Sequence, residues 1–163
     1  MRCWLNVHHP PPVGTDPEAV HNAVYLQDRS RHLVSDISGG DVAFVYEKRT
    51  SPGRVVVEEN GQKSVLHLQE PRGGIVAVIR IAGNLVPHLR TLYATGNSGG
   101  IHYIGHFRGE PAEVTRGFVA IDELRQAWTK TLRKEFVPGI NGGLRRLNSD
   151  ECRLLMKLTG FRE

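Results

Sequence analysis

Two continuous apolar runs, each led in by a glycine pair, constrain this chain most. They are "GGDVAFVYEKR" from Gly39 to Arg49 and "RGGIVAVIRIAG" from Arg72 to Gly83. Neither alternates apolar with polar residues, so Asp41–Glu47 and Ile75–Ala82 are expected to be strands covered on both faces. Between them, Arg54–Glu58 and Ser64–Leu68 flank Asn60-Gly61, a strong signal for a tight hairpin. Cys3–Val7 reads as a first strand, stopped by Pro10-Pro11-Pro12. Ile101–Phe107 and Gly117–Ile121 read as further strands.

Helical signals are fewer and lie mainly in the last third. Thr15-Asp16-Pro17-Glu18 carries a cap, a proline and an early acid, with Ala19, Val20, Ala23 and Val24 following at helical spacing. Asp122–Lys134 places Leu124, Trp128 and Leu132 on one face, which makes Trp128 a core residue. Asn148-Ser149-Asp150-Glu151 is a capping-box pattern, backed by Leu154, Leu155 and Leu158 and ended by Gly160. At 163 residues the expectation is one α+β domain over residues 1–163, a strongly curved or closed sheet flanked by helices.

No apolar run approaches the roughly 20 residues of a membrane span, and the first residues lack the apolar centre of a signal peptide. Cys3 and Cys152 have no C-x-x-C partner, so neither a disulfide framework nor a zinc finger is expected, and the expected location is the reducing cytoplasm. The net charge of +4 is unevenly spread. Residues 48–90 hold seven Lys/Arg against three Asp/Glu, and residues 125–163 nine against four. Two basic blocks in a chain of pI about 9.3 are a modest footprint for a polyanion; a scattered solvated surface is the competing reading.

Catalytic and metal motifs do not emerge. His102-x-x-x-His106 has helical ligand spacing but lies in a strand pattern, and His8-His9 has no partners at a known spacing. His21-Asn22 lacks the companions of an HNH nuclease, and Asp41 with Glu47-Lys48 does not reproduce a D…E-x-K core. There is no G-x-S-x-G and no Walker loop. No cofactor, metal or catalytic residue is therefore expected.

Several segments together resemble the EVE domains, relatives of the YTH domains within the PUA-like superfamily. "CWLNVHHP" is similar to the aromatic opening strand and the proline segment after it, and "HNAVYLQ" to a short pocket-lining stretch. "GGDVAFVYEKR" resembles the glycine-aspartate turn, apolar strand and terminal aromatic, and "GGIVAVIRIAG" the strand that closes the barrel. "GGLRRLNSDECRLLMKL" resembles the C-terminal segment of variants associated with modification-dependent restriction. The turn after the first strand departs from the family's pattern, being Asn6-Val7-His8-His9. The resemblance implies a PUA-like curved β-barrel flanked by helices that accepts a modified base in an aromatic pocket.

Reading one modification in a duplex requires flipping the base out, at a cost of about a few kcal/mol. Stacking on aromatic faces recovers ~1–3 kcal/mol per base, and phosphate contacts supply the rest. The candidate base-binding residues are Trp4, Asn6, Tyr25 and Tyr46, and the candidate backbone-binding cations are Lys48, Arg49, Arg54, Arg145 and Arg146. Composition alone makes Trp4 a core residue, whereas the resemblance makes it a pocket wall. Tyr46 ends its strand just before Lys48-Arg49, where a stacking ring would sit; Tyr25 could equally be buried by an amphipathic helix. Asn6 offers a donor and an acceptor for a base edge, or for a neighbouring backbone. Gly139, Gly142 and Gly143 serve either phosphate approach or loop conformation. The expected function is a non-enzymatic reader of methylated double-stranded DNA, 5-methylcytosine ahead of 6-methyladenine, free-standing or partnered with a restriction nuclease. An RNA reader, and a nuclease or glycosylase using Asp41 and Glu47, are the alternatives.

Overall fold

The first strand, β1 (Cys3–His8), is buried along its whole length, and so is β3 (Val42–Glu47), which lies parallel to it with Cys3 opposite Val42 and His8 opposite Glu47. The computed structural model describes residues 1–94 and 99–163. A parallel pair needs a long crossover. Here it holds the short helix α1 (Pro17–His21), strand β2 (Ala23–Gln27) and a 3₁₀ segment, Asp28–Asp36. Asp16 caps α1 by accepting from the Glu18 amide, as its proline-led start predicts. The helix nevertheless stops at His21, and Ala23–Gln27 pairs antiparallel with the later strand Gly100–Pro111 instead of continuing the helical spacing. Sheet pairing overrides local pattern there.

The hairpin β4 (Arg54–Glu59) and β5 (Gln62–His67) turns at Asn60-Gly61, both with positive φ, as a two-residue turn of that composition requires. Strand β6 (Gly74–Ala94) runs far beyond the apolar stretch that announces it. Its first half pairs with β3 and with the short β8 (Val119–Ala120), and its last residues pair with β4. Gly74 is required at its start, because a Cβ there would meet the Val119 carbonyl oxygen at 2.1 Å. Strand β7 (Gly100–Pro111) follows β6, and β9 (Leu144–Leu147) pairs with β1 on its outer side.

The strand order is β2-β7-β6-β3-β1-β9. The sheet curls, so that β2 at one end of this order returns to β1 near the other. Asn6 joins them: its side-chain amide donates to the Tyr25 carbonyl and accepts from the Tyr25 amide, taking the place of a backbone ladder. The result is a mixed α+β fold with a curled, partly closed sheet.

Side-chain parity divides the core. Cys3, Leu5 and Val7 of β1, with Val42, Phe44 and Tyr46 of β3, face helices α2 (Ile121–Leu132) and α3 (Ser149–Thr159). Trp4, Ala43 and Val45 face the inside of the curl. Leu124, Trp128, Leu154 and Leu155 are buried under the helices, and at about 1.5–3 kcal/mol for each large side chain this burial docks them. Asn148 and Glu151 complete the expected capping box, and Gly160 ends α3 with φ +70°. Contrary to expectation, Cys3 and Cys152 are joined in a disulfide, with Cα atoms 5.9 Å apart, tying β1 to α3. The cysteine argument for a reducing compartment assumed that they were unpaired. No helix among the described residues is long and apolar enough to cross a membrane.

Candidate functional site

Where β1 ends, β2 begins and the β4–β5 hairpin folds over β6 and β7, the structure forms a partly open pocket of about 160 Å³. Its polar wall is His9, Tyr25, Arg90 and Tyr103, and Val20, Val55, Leu66 and Leu92 supply apolar surface. The Tyr25 and Tyr103 rings meet edge to face with centroids 6.4 Å apart, and the Arg90 guanidinium lies 5.3 Å from each ring centre. The Tyr25 hydroxyl donates to the Val20 carbonyl, which fixes its ring. Burial pushes the Tyr103 phenol up to about 12, so it remains a donor at neutral pH. Burial, with the charges of Arg90 and Lys48, pushes His9 down to about 4. Both His9 ring nitrogens are shielded and have no hydrogen-bond partner among the described residues.

A buried polar chain runs back from this wall, reaching the pocket at His8. Glu47 Oε2 lies 2.6 Å from His21 Nε2, His21 Nδ1 lies 2.9 Å from His8 Nδ1, and His8 Nε2 lies 2.7 Å from Asn6 Oδ1. Its proton positions follow from chemistry. The Tyr25 amide donates to Asn6 Oδ1 and two carbonyls, Tyr25 and Gly143, accept from Asn6 Nδ2, so the amide orientation is set. His8 must therefore donate through Nε2. Burial and the nearby imidazoles of His21 and His9 hold the His8 pKa well below the ordinary value. A neutral His8 accepts at Nδ1, and His21 donates there. One proton then sits between His21 and Glu47. Burial raises the Glu47 pKa, but bonds from His21 and the Arg72 amide, with their charges, outweigh it and hold it below the ordinary value.

The predicted site residues separate. Tyr25 alone lines the cavity. Asn6 lies one layer behind, its amide spent on backbone and on His8. Trp4 is fully buried inside the curl and donates through Nε1 to Asp41, so it is a core residue. Tyr46 is a correction as well: parity turns it toward the helices, where it is 2% exposed and packs edge to face on Phe136 at 5.3 Å. Among the cations, Arg49 pairs with Asp122 and Arg145 with Glu151. Lys48, Arg54 and Arg146 make no ion pair among the described residues. Arg145 and Arg146 lie opposite Leu5 and Trp4, whereas Lys48 follows β3 at the end near His8, so the basic residues do not form one rim. Gly142 and Gly143 use their backbones to hold Val7. A Cβ on Gly142 would meet the Tyr103 hydroxyl at 2.5 Å, so this glycine serves packing.

Asp41 accepts from Trp4 Nε1 and from the amides of Arg2 and Ser38. Among the described residues, no group of three or more His, Cys, Asp or Glu is placed to hold a metal ion. Arg90 and Tyr103 were not singled out from the sequence, and His9 was weighed there only as a metal ligand. Tyr103 sits in a predicted strand and could have been found as an inward aromatic. Arg90 lies in the unannounced half of β6, and the union of Glu47, His21 and His8 has no sequence spacing to betray it. No protein-family model and no curated protein matches the chain.

Proposed function

We propose that this chain is a PUA-like, EVE-type reader of a modified base, binding without chemistry a base flipped out of double-stranded DNA. The observation that carries the reading is the cavity of about 160 Å³ walled by two tyrosines and aliphatic side chains. A closed void of roughly 150 Å³ with apolar walls holds one benzene ring, so this partly open pocket is on the scale of a single six-membered ring. Tyr25 and Tyr103 offer aromatic surface to a base, and Val55, Leu66 and Leu92 offer apolar contact to a methyl group. 5-Methylcytosine fits that combination better than the fused rings of 6-methyladenine. The fold supports the reading as well, since a curled sheet with a cavity at its end is the architecture that the resemblance implies.

The test is a binding panel of matched DNA and RNA duplexes carrying 5-methylcytosine, 6-methyladenine or no modification, measured with wild-type protein and Tyr103→Ala. Wild type is expected to prefer methylcytosine DNA. Tyr103→Ala is expected to lose ~1–3 kcal/mol on that target and little on unmodified DNA, where the base stays stacked. Equal binding to all duplexes would refute the reading, and preference for RNA would reassign the partner. Strand cleavage or base release with a divalent metal present would overturn the absence of chemistry.

A further inference from the structure

We infer that Arg90 reads the polar edge of the bound ring and selects one with two adjacent acceptors, a carbonyl beside an unprotonated ring nitrogen, as cytosine has. This rests on the base-binding reading of the cavity. Arg90 lines the cavity and lies 5.3 Å from the centres of both tyrosine rings, so two cation–π contacts hold its guanidinium in place before any ligand arrives. Its charge is nevertheless unspent. It makes no ion pair or side-chain hydrogen bond among the described residues. The carboxylates of the facing strand β4 are engaged elsewhere, Glu58 with Lys63 and Glu59 with His88.

The Arg90 guanidinium is only partly buried and is not among the buried side chains left without a partner, so its donors are met by solvent and are free to pass to a ligand that brings matched acceptors. Guanidinium offers donors in a flat fork and accepts nothing, which suits a pair of adjacent acceptors. Cytosine presents such a pair on its pairing edge. Adenine presents one ring acceptor there, beside an amine that would face the cation with its own hydrogens. His9 complements this: its depressed basicity keeps it neutral, with a free ring lone pair able to accept from the cytosine amine once the ring turns toward it.

The experiment titrates wild type, Arg90→Lys and Arg90→Gln with two free nucleosides, 5-methyl-2′-deoxycytidine and N6-methyl-2′-deoxyadenosine, followed by NMR shifts of the Tyr25 and Tyr103 amides. The same proteins are then titrated with duplexes carrying each modification. Wild type is expected to bind the cytidine in preference to the adenosine. Lysine keeps the charge but loses the fork, so Arg90→Lys should weaken cytidine binding about tenfold, within the discrimination a bidentate pair provides. Arg90→Gln should weaken it at least as much. Cytidine binding within twofold of wild type in both variants would overturn the inference, and so would wild type binding the adenosine as well as the cytidine, or neither. Nucleoside discrimination without duplex discrimination would sink the DNA reading and leave Arg90 its role. Duplex discrimination that survives both substitutions would sink Arg90 and leave the DNA reading standing.

Discussion

Tyr46 and Glu47 are neighbours at the end of β3, yet one packs on Phe136 beneath the helices and the other reaches His21 inside the curl. Alternation along a strand accounts for both, and it makes Glu47 the residue of that stretch with consequences for protonation. In the unfolded chain His8 and His9 take up protons near 6.5; in the fold both do so at lower pH, His9 at about 4. Between those values the unfolded state holds more protons, so stability falls as the pH drops below about 6.5. Each such histidine costs ~1.4 kcal/mol per pH unit until its folded pKa is reached. Glu47, held below its ordinary 4.5, adds to the loss only below that value. The melting temperature should therefore be flat above pH 7 and fall steadily toward pH 4.5. His8→Phe keeps a ring but strips the donor from Asn6 and the acceptor from His21, costing ~1–3 kcal/mol at pH 7.5. Its deficit should shrink by pH 5, because wild type alone pays the acid penalty at that position. A deficit constant across pH would show that His8 is not an acid-labile link.

Elements with local punctuation were legible in the sequence. Asn60-Gly61 marked its hairpin, Asn148 and Glu151 marked the start of α3, and Gly160 its end, because turn and cap chemistry acts over a few residues. Ala23 and Val24 were read at helical spacing, whereas they belong to β2, because its pairing with β7 is a long-range event. The second half of β6 was missed because it lies at the partly exposed end of the sheet, where apolar content falls. The disulfide was illegible for the same reason: Cys3 and Cys152 are 149 residues apart, and only the packing of α3 against β1 brings them together. That pairing closes nearly the whole chain into a loop, worth about 2–4 kcal/mol in restricting the unfolded state. Reductant should thus lower the melting temperature of wild type markedly and leave a Cys3→Ala/Cys152→Ala double variant unmoved. Equal response in both, or none in either, would mean that the bridge does not contribute to stability.

At the scale of the whole molecule, charge reads differently once ion pairs are counted. A net charge of +4 and two basic blocks suggest a polyanion partner, and five cations stand out in the sequence as phosphate contacts. Two of the five are already paired, Arg49 with Asp122 and Arg145 with Glu151, and of the three that remain Lys48 follows β3, Arg54 begins β4 and Arg146 lies on β9. A duplex placed over the cavity can meet Lys48 and Arg54 on that side, whereas Arg146 lies beside Trp4, toward the other end of β1. Counterion release then limits the salt dependence. Three contacts give a slope of log K against log salt of about −3, and two give about −2, against about −4.5 if all five cations met phosphate. Titrations of methylcytosine DNA at several salt concentrations should fall in the shallower range. Lys48→Glu should weaken modified and unmodified duplexes alike, since phosphate contacts carry no base identity. Arg146→Glu should do so less if the duplex lies over the cavity. A steep slope, or a larger loss for Arg146→Glu than for Lys48→Glu, would place the duplex along β9 and detach the basic edge from the tyrosine cavity.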